Sequence, residues 1–248
     1  MQVSIGTSGA VVLPSNEPHV AEDMNLHTFC HCAPNLWYLM GVIISAGSAL
    51  RWLRDTIAPE ASYDSLTAEA EQVTPGSDGL LFLPYLSGER TPHNDSNARG
   101  VFAGLSLAHG RGHLTRAVVE GVCFAMRDSL ELMRQQGVSP SEVRAIGGGA
   151  RSRMWLQTLA NVFGLPLATV QPAGGAALGA ALLAAVGCGM FSSIQDAVQS
   201  CIKTGDVVEP EASLTAVYDE LYDAYRQLYP ALKSSFATLA DINARQRQ

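Results

Sequence analysis

Three clusters of residues in this chain could do chemistry, and all three are built on glycine. Gly147-Gly148-Gly149 closes the apolar run Val143 to Ile146 and opens a helical one. Glycines at a strand's end let the backbone approach a ligand where a side chain would collide, and a helix starting there aims unpaired N–H groups at the same place. The spacing is not the dinucleotide fingerprint, which has Gly at the first, third and sixth positions. Contact with a nucleotide is the favoured reading, and a flexible turn is the alternative. Gly6-Thr7-Ser8-Gly9 is the second cluster. Successive N–H groups in such a turn form a concavity for an anion, and the two hydroxyls add donors. The same residues also make an ordinary hairpin turn, and the sequence divides evenly between the two.

The third cluster is Gly88-Glu89-Arg90-Thr91-Pro92, with Asn94, Asp95 and Arg99-Gly100 beyond it. A guanidinium can neutralise phosphate in a fixed fork geometry. For Arg90 and Arg99 the reading favours support of the loop, through salt bridges, over phosphate contact. A Walker A loop is absent, because no Gly-Lys-Ser or Gly-Lys-Thr triplet occurs. No Asp or Glu stands beside a glycine-rich strand end, and Asp55, Asp64 and Asp78 read as surface or turn residues. Nor does a Ser/His/Asp or Cys/His pair occur in a nucleophile setting. Cys30-His31-Cys32, with His27 and His19 nearby, lacks the second ligand pair of a zinc knuckle. The five cysteines therefore read as reduced, without a metal, in a cytosolic chain.

The elements that must position these clusters follow from periodicity. Residues 2–5 and 10–13 predict a hairpin around the first glycine turn, and Leu36 to Ile44 predicts a third strand. Ser45 is placed to cap a helix running to Ile57, with Leu50, Leu53 and Ile57 on its stripe. A second helix follows from Tyr63 to Val73. Pro75-Gly76-Ser77-Asp78-Gly79 breaks the pattern, and residues 75–112 form a loop-rich insertion. Its apolar anchors Phe82, Tyr85, Leu86, Val101 and Phe102 mark it as ordered and functional. A long helix from 113 to 136 buries one face through Val118, Val122, Ala125, Ser129 and Leu132. Next come a strand at 143–146, a helix at 151–163, a strand at 165–170 and a helix at 175–186. This is the α/β order of a sheet with covering helices. A last helix, Ser213 to Tyr229, aligns Val217, Leu221, Tyr225 and Leu228, and residues 236–248 read as a frayed tail.

Composition bounds the rest. Of 248 residues, 47% are apolar and only 16% charged, enough for a full core and suggestive of a surface that meets something other than water. The formal charge of −7 and the lack of a basic stripe argue against a nucleic-acid partner, although Arg99, Arg111 and Arg116 cluster loosely enough to handle local phosphates. The apolar run Ala176 to Val186 is far short of the roughly twenty residues of a membrane span. Met1 leads straight into a strand pattern. This implies that the domain starts upstream and that a neighbouring sheet element is missing, leaving an exposed edge.

The segment Gly79-Leu-Leu-Phe-Leu-Pro-Tyr-Leu-Ser-Gly-Glu-Arg-Thr-Pro92, followed by Ala98-Arg99-Gly100, resembles the C-terminal signature of the FGGY carbohydrate kinases. Tyr85 to His93 is most similar to the xylulokinase branch of that family. Ser4 to Gly9, Ile146 to Arg151 and Ala177 to Ala181 fall in family order, so the resemblance spans residues 1 to about 235. It implies an actin-like (ribonuclease-H-like) α/β domain, N-terminally incomplete: the C-terminal, nucleotide-binding half of an enzyme that phosphorylates a sugar hydroxyl with ATP and Mg2+. D-xylulose to D-xylulose 5-phosphate is the implied reaction, with glycerol, ribulose or gluconate as the alternative acceptor and a non-catalytic nucleotide-binding module as the third reading. By the same resemblance Gly6, Thr7 and Ser8 lie near the ATP phosphates, and Gly147, Gly148 and Gly149 line the nucleotide pocket with Arg151 and Ser152 beside it. The catalytic Asp is expected upstream of Met1, in company with a missing N-terminal kinase domain, and the full enzyme is expected as a homodimer in the cytoplasm. One departure stands out. Many members carry Glu-Gly-x-Ala where this chain has Gly174-Gly175-Ala176-Ala177, which withdraws a carboxylate from that turn.

Overall fold

The order in which strands pair decides where the glycine turns meet. The computed structural model describes residues 1–247 apart from Glu22 and Met24. Strands β1 (Gln2–Ile5) and β2 (Gly9–Ser15) form the expected hairpin, with Ile5 opposite Gly9. Alternation of small and branched residues along β2 puts Val11 and Leu13 in the core. Strands β3 (His27–Cys30) and β4 (Trp37–Ile43) continue the sheet on the β2 side. On the other side β1 runs parallel to β7 (Val143–Ile146), which runs parallel to β8 (Leu167–Gln171), and β9 (Lys203–Val208) closes that flank antiparallel. The full order is β3-β4-β2-β1-β7-β8-β9. The first strand is therefore interior and paired on both sides, contrary to the expected exposed edge. A later strand, β7, occupies the position that the first residues seemed to leave empty, and β3 and β9 are the sheet's edges.

Helices α1 (Gly47–Ile57) and α2 (Tyr63–Glu71) follow β4, and α3 (Arg111–Gln135) lies across the sheet. The periodic stripe of α3 predicts one buried face, yet residues from Thr115 to Met133 are buried almost all round it. The helix is sandwiched between the sheet, α1, α2, the small sheet of β5 (Leu81–Leu83) and β6 (Val101–Ala103), α4 (Arg153–Phe163) and α7 (Ala212–Gln246). Two glycines permit the close approach: a Cβ on Gly41 of β4 would overlap the Ser129 side chain, and one on Gly121 of α3 would overlap the Phe82 carbonyl. Each fully buried Val, Phe or Met of α3 contributes roughly 1.5–3 kcal/mol relative to exposure.

The 75–112 segment is ordered around β5 and β6, with Phe82 and Tyr85 fully buried. The loose arginine cluster is structural. Arg116 Nε pairs with buried Glu120 at 2.8 Å, and its Nη1 donates to the carbonyls of Ala70 and Val73. Glu120 in turn accepts from Gly76 N, Ser77 Oγ and Tyr218 Oη, each at 2.8 Å, which fastens the break after α2 to α7. Arg111 pairs with Glu69, and Arg99 Nη1 donates to the Ser96 and Ala98 carbonyls.

Two expectations about the C-terminus need correction. Helix α7 runs through Gln246 despite Pro230, and Phe236 is buried, so residues 236–246 are helix and not a frayed tail. Its buried stripe is Tyr218, Tyr222, Tyr225, Tyr229 and Phe236, while Val217 faces solvent. A 4-3-4-7 spacing of aromatics outweighs the aliphatic stripe because the large rings bury more area. Helices α5 (Gly175–Gly187) and α6 (Ile194–Cys201) complete the chain, and α5 buries none of its residues although every one is apolar or glycine.

Candidate nucleotide cleft

Because β1 and β7 are parallel and in register, with Ser4 opposite Ile146, the turns that follow them emerge on the same side of the sheet. The first turn is organised by its carbonyls. Gly47 N donates to Gly6 O (2.8 Å), and Ala46 N and Ser48 N donate to Thr7 O (3.1 and 3.0 Å), with Ser48 Oγ adding a bond of 2.8 Å. Ser45 is consequently not the cap of α1. The position before the helix is Ala46, which has no side chain to offer, and main-chain carbonyls of the glycine turn satisfy the first amides instead. Gly6 N is held by Ser8 O at 3.0 Å. Among the described residues the Thr7 and Ser8 amides have no acceptor, and both residues are exposed. Two adjacent free amides are the makings of an anion concavity.

The three glycines after β7 divide their work. Gly147 sits at φ +93°, and a Cβ there would lie 2.6 Å from the Ile5 carbonyl. A Cβ on Gly149 would overlap the Ile5 side chain. Both are required by the chain's own packing, so that the β7 turn can press against the end of β1. Gly148 differs: its backbone is ordinary right-handed (φ −63°, ψ −41°), and a Cβ there would meet nothing within 4 Å. Only the middle glycine faces open space. The helix α4 does not begin directly after the glycines, since a 3-10 turn, Gly149–Arg151, intervenes, and Ser152 precedes α4 without a side-chain cap.

Between the two turns lies an open cleft of about 700 Å³. Of the residues predicted to bind nucleotide, Gly6, Thr7, Gly148, Gly149, Arg151 and Ser152 line it, while Ser8 and Gly147 do not. Sequence reasoning missed the opposite wall: Gly47, Leu50 and Arg51 from α1, Tyr63, Asp64, Thr67 and Glu71 from α2, and Arg153 and Trp155. Asp64, read as a surface residue, is exposed, and its surface is the wall of the cleft. Arg51, Arg151 and Arg153 form no salt bridge among the described residues, although Arg153 donates to Gln157 Oε1 at 3.3 Å. Three cations against two carboxylates, Asp64 and Glu71, make this cleft locally basic in an acidic chain. No sequence signal marked Arg51, because α1 follows β4 in the chain and meets the glycine turn only in the fold.

None of Gly88, Glu89, Arg90, Thr91, Pro92, Arg99 and Gly100 lines the cleft. They brace the sheet beside it. Glu89 is buried, and its Oε1 accepts from Ile44 N (3.0 Å) and Arg90 N (2.8 Å). Burial pushes its carboxyl up to about 8, with the Asp128 charge adding to the rise. Arg90 donates to His27 Nε2 (3.1 Å) and Asn94 Oδ1 (2.6 Å). Support of the loop is thus what the geometry provides, but through hydrogen bonds and not the expected salt bridges. Glycine is needed at two of these positions: a Cβ on Gly88 (φ +83°) would lie 2.9 Å from Ser96 Cα, and one on Gly100 2.6 Å from Leu86 Cδ2.

Beyond the signature, Tyr85 Oη sits 3.0 Å from Tyr225 Oη and 3.2 Å from His93 Nε2, and His93 stacks on Tyr229 at 3.6 Å. This aromatic hub ties the loop to α7. Burial pushes His93 down to about 4 and Asp128, which accepts from Tyr222 Oη at 2.7 Å, up to about 7. Cys30 and Cys32 are free and exposed, and His31 Nδ1 accepts from Ala33 N at 2.9 Å. Among the described residues no group of three His, Cys, Asp or Glu is placed to hold a metal, and no helix is long and apolar enough to cross a membrane.

A mixed sheet with parallel β1, β7 and β8, an antiparallel β1-β2-β4 flank and glycine turns opening on one cleft defines a domain of the actin-like ATPase fold. The chain belongs to the FGGY family of carbohydrate kinases: residues 1–188 match that family's C-terminal domain. Over 239 residues it is 39% identical to a xylulose kinase of Staphylococcus epidermidis, covering 96% of this chain and 48% of the relative. It is 32% identical over 251 residues to a gluconokinase of Bacillus licheniformis, covering 96% of this chain and 48% of that protein. A solved xyloylose kinase from Brucella ovis is 40% identical and superposes with a TM-score of 0.85 over 94% of this chain and 48% of its own. The chain thus spans about half the length of the curated relatives it matches.

Proposed function

We propose that this chain is the nucleotide-binding half of an ATP-dependent sugar kinase that converts D-xylulose to D-xylulose 5-phosphate. The observation that carries the reading is the cleft itself. The free amide of Thr7 suits a phosphate oxygen, with that of Ser8 beyond the lining, Gly148 offers a bare backbone on the facing wall, and three arginines supply positive charge. Phosphoryl transfer relies on positioning and charge stabilisation more than on covalent chemistry, so such a cleft is half of what the reaction needs. The other half is a carboxylate base beside the sugar hydroxyl. The carboxylates that line this cleft, Asp64 and Glu71, belong to α2 and not to the phosphate turn. For the same reason these residues offer no magnesium ligand at that turn. Mg2+ would arrive already held by the nucleotide phosphates and water, as is usual for this ion, and would neutralise phosphate charge there.

The choice of xylulose rests on the relatives' names and identities, and the gluconokinase at 32% makes gluconate the second reading. A homodimer of the complete enzyme and a cytoplasmic location belong to the same proposal. The test is calorimetric titration of the purified chain with ADP, followed by a coupled ADP-release assay. The chain is expected to bind ADP, to phosphorylate no sugar alone, and to turn over D-xylulose ahead of gluconate once combined with the half of the S. epidermidis kinase that it does not match. Xylulose phosphorylation by the 248-residue chain alone would refute the half-enzyme reading, and a preference for gluconate would replace the substrate.

A further inference from the structure

Strand β3 pairs with β4 only from Trp37 to Met40, so the outer edge of β4 beyond that point has no strand partner. The signature loop takes the vacant place. Thr91 N donates to Val42 O (3.1 Å), Val42 N donates to Thr91 Oγ1 (3.0 Å), and Thr91 Oγ1 donates to Asn25 O (3.0 Å). One step further along the same edge the acceptor is a carboxyl: Ile44 N is met by Glu89 Oε1. From Ile44 the chain passes through buried Ser45 to Ala46 and Gly47, whose amides hold the carbonyls of Thr7 and Gly6. Glu89 is thus two residues of buried backbone away from the atoms that orient the cleft's phosphate turn.

We propose that Glu89 is a positioning residue for the Gly6–Ser8 turn: by fixing Ile44 it sets the segment Ile44–Ser48 on which the turn's carbonyls rest, and so the direction of the free Thr7 and Ser8 amides. This deepens the nucleotide-binding reading and rests on it for its functional consequence. The geometry calls for an acceptor of this length at this point and not for a charge. Oε1 takes both backbone donors, Oε2 has no partner, and no ion pair reaches the carboxyl among the described residues. Burial also favours its uncharged form near neutral pH, so an amide of the same shape is a close substitute.

The experiment compares the chain with its E89A and E89Q variants by two readouts. One is hydrogen exchange of peptides covering residues 1–10 and 41–50; the other is ADP titration. Glu89→Ala is expected to speed exchange at residues 6–8 and 44–48 while β7 and β8 remain protected, and to weaken ADP roughly tenfold or more, as loss of a buried acceptor implies. Glu89→Gln is expected to restore both to near the parent values. Unchanged exchange at residues 6–8 in a folded E89A, or an E89Q that behaves like E89A, overturns the proposal. Should E89A fail to fold, Glu89→Met, which keeps the length and removes the acceptor, carries the same comparison with E89Q. The exchange readout needs no ligand, so a chain that binds no ADP would defeat the nucleotide reading while still deciding the role of Glu89.

Discussion

Replacing Gly148 by valine separates the ligand-facing function of the glycine turn from its structural one. Its φ and ψ are those of any right-handed residue, and the added Cβ finds no atom within 4 Å. Folding should therefore change little. The restricted unfolded chain favours the variant by about 0.4–1 kcal/mol, and the β-branched stiffness opposes it by a similar amount. Gly147→Val is the contrasting control. It forces a left-handed φ of +93° on a branched residue, at about 1–2 kcal/mol, and brings its Cβ to 2.6 Å from a backbone carbonyl that cannot move without displacing β1. It should destabilise the chain by more than about 2 kcal/mol. The isopropyl group of Gly148→Val instead projects into the cleft. Displacing a ligand that touches the bare backbone should weaken ADP at least tenfold, or about 1.4 kcal/mol, and Gly148→Ala should fall between. Calorimetric titration with ADP, beside urea unfolding of each variant, measures both quantities. A folded Gly148→Val with the parent's affinity would refute the reasoning, because the cleft's second wall would then be a turn and nothing more.

Buried carboxyls give the chain an inverted pH response. Glu89 and Asp128 have folded values raised to about 8 and about 7 from ordinary values of 4.5 and 3.8, so the folded state holds their protons more tightly and stability falls as pH rises. His93, lowered to about 4, opposes this only below about pH 6.5. Thermal melts should therefore show a decline between about pH 6.5 and 8, of at most roughly 1.4 kcal/mol per pH unit per group, and Glu89→Gln with Asp128→Asn should flatten it; a stability that climbs through this window contradicts the assignment. The apolar, unburied helix α5, with Leu183 41% exposed, should drive self-association of the isolated chain at micromolar concentration. Light scattering after size exclusion should show Leu183→Lys shifting the chain toward monomer, and a sharp monomer peak for the parent would remove α5 as the cause.

Much of the fold was legible because its signals are local. Period-two runs beside glycine gave the hairpin and β7, an apolar run closed by Pro172 gave β8, and glycine-bounded apolar runs gave α3, α4 and α5. Residues 188–211 give no such signal: β9 is an edge strand whose Lys203, Thr204 and Asp206 face solvent, so little alternation marks it. In α7 the aliphatic stripe competes with the tyrosine stripe, and only packing against α3, the small sheet and α4 decides between them. At the cleft, the glycine turns announce themselves because clustered glycines mark close backbone approach, which Gly147 and Gly149 do require. The α2 wall does not, since Tyr63, Asp64 and Glu71 become cleft residues only when α2 is laid beside α1. Glu89 and Arg90 read as charges that tie the loop down through salt bridges, because charged residues in a polar loop are expected to pair with charges elsewhere. Burial raises the carboxyl and leaves it as an acceptor for backbone donors, which composition cannot foretell.

The two glycine turns are coupled through a single residue. Ile5 ends β1, and Gly6 follows it directly; its carbonyl and side chain are also what Gly147 and Gly149 must be small enough to touch. The spacing across the cleft is therefore set by the Ile5 carbonyl and side chain pressed against bare glycine backbone. On the far side the same turn is held by α1 amides that lead back through Ser45 and Ile44 to Glu89. The turn is gripped from both sides through main-chain atoms, and this explains why the residues that look most chemical in the sequence, Glu89 and Arg90, lie outside the cleft while the bare backbone of Gly6, Thr7 and Gly148 lines it. Amides can hold a ligand only as exactly as the scaffold behind them allows, so under the nucleotide reading Glu89 and the Ile5 contact act from behind the cleft, by holding that backbone still.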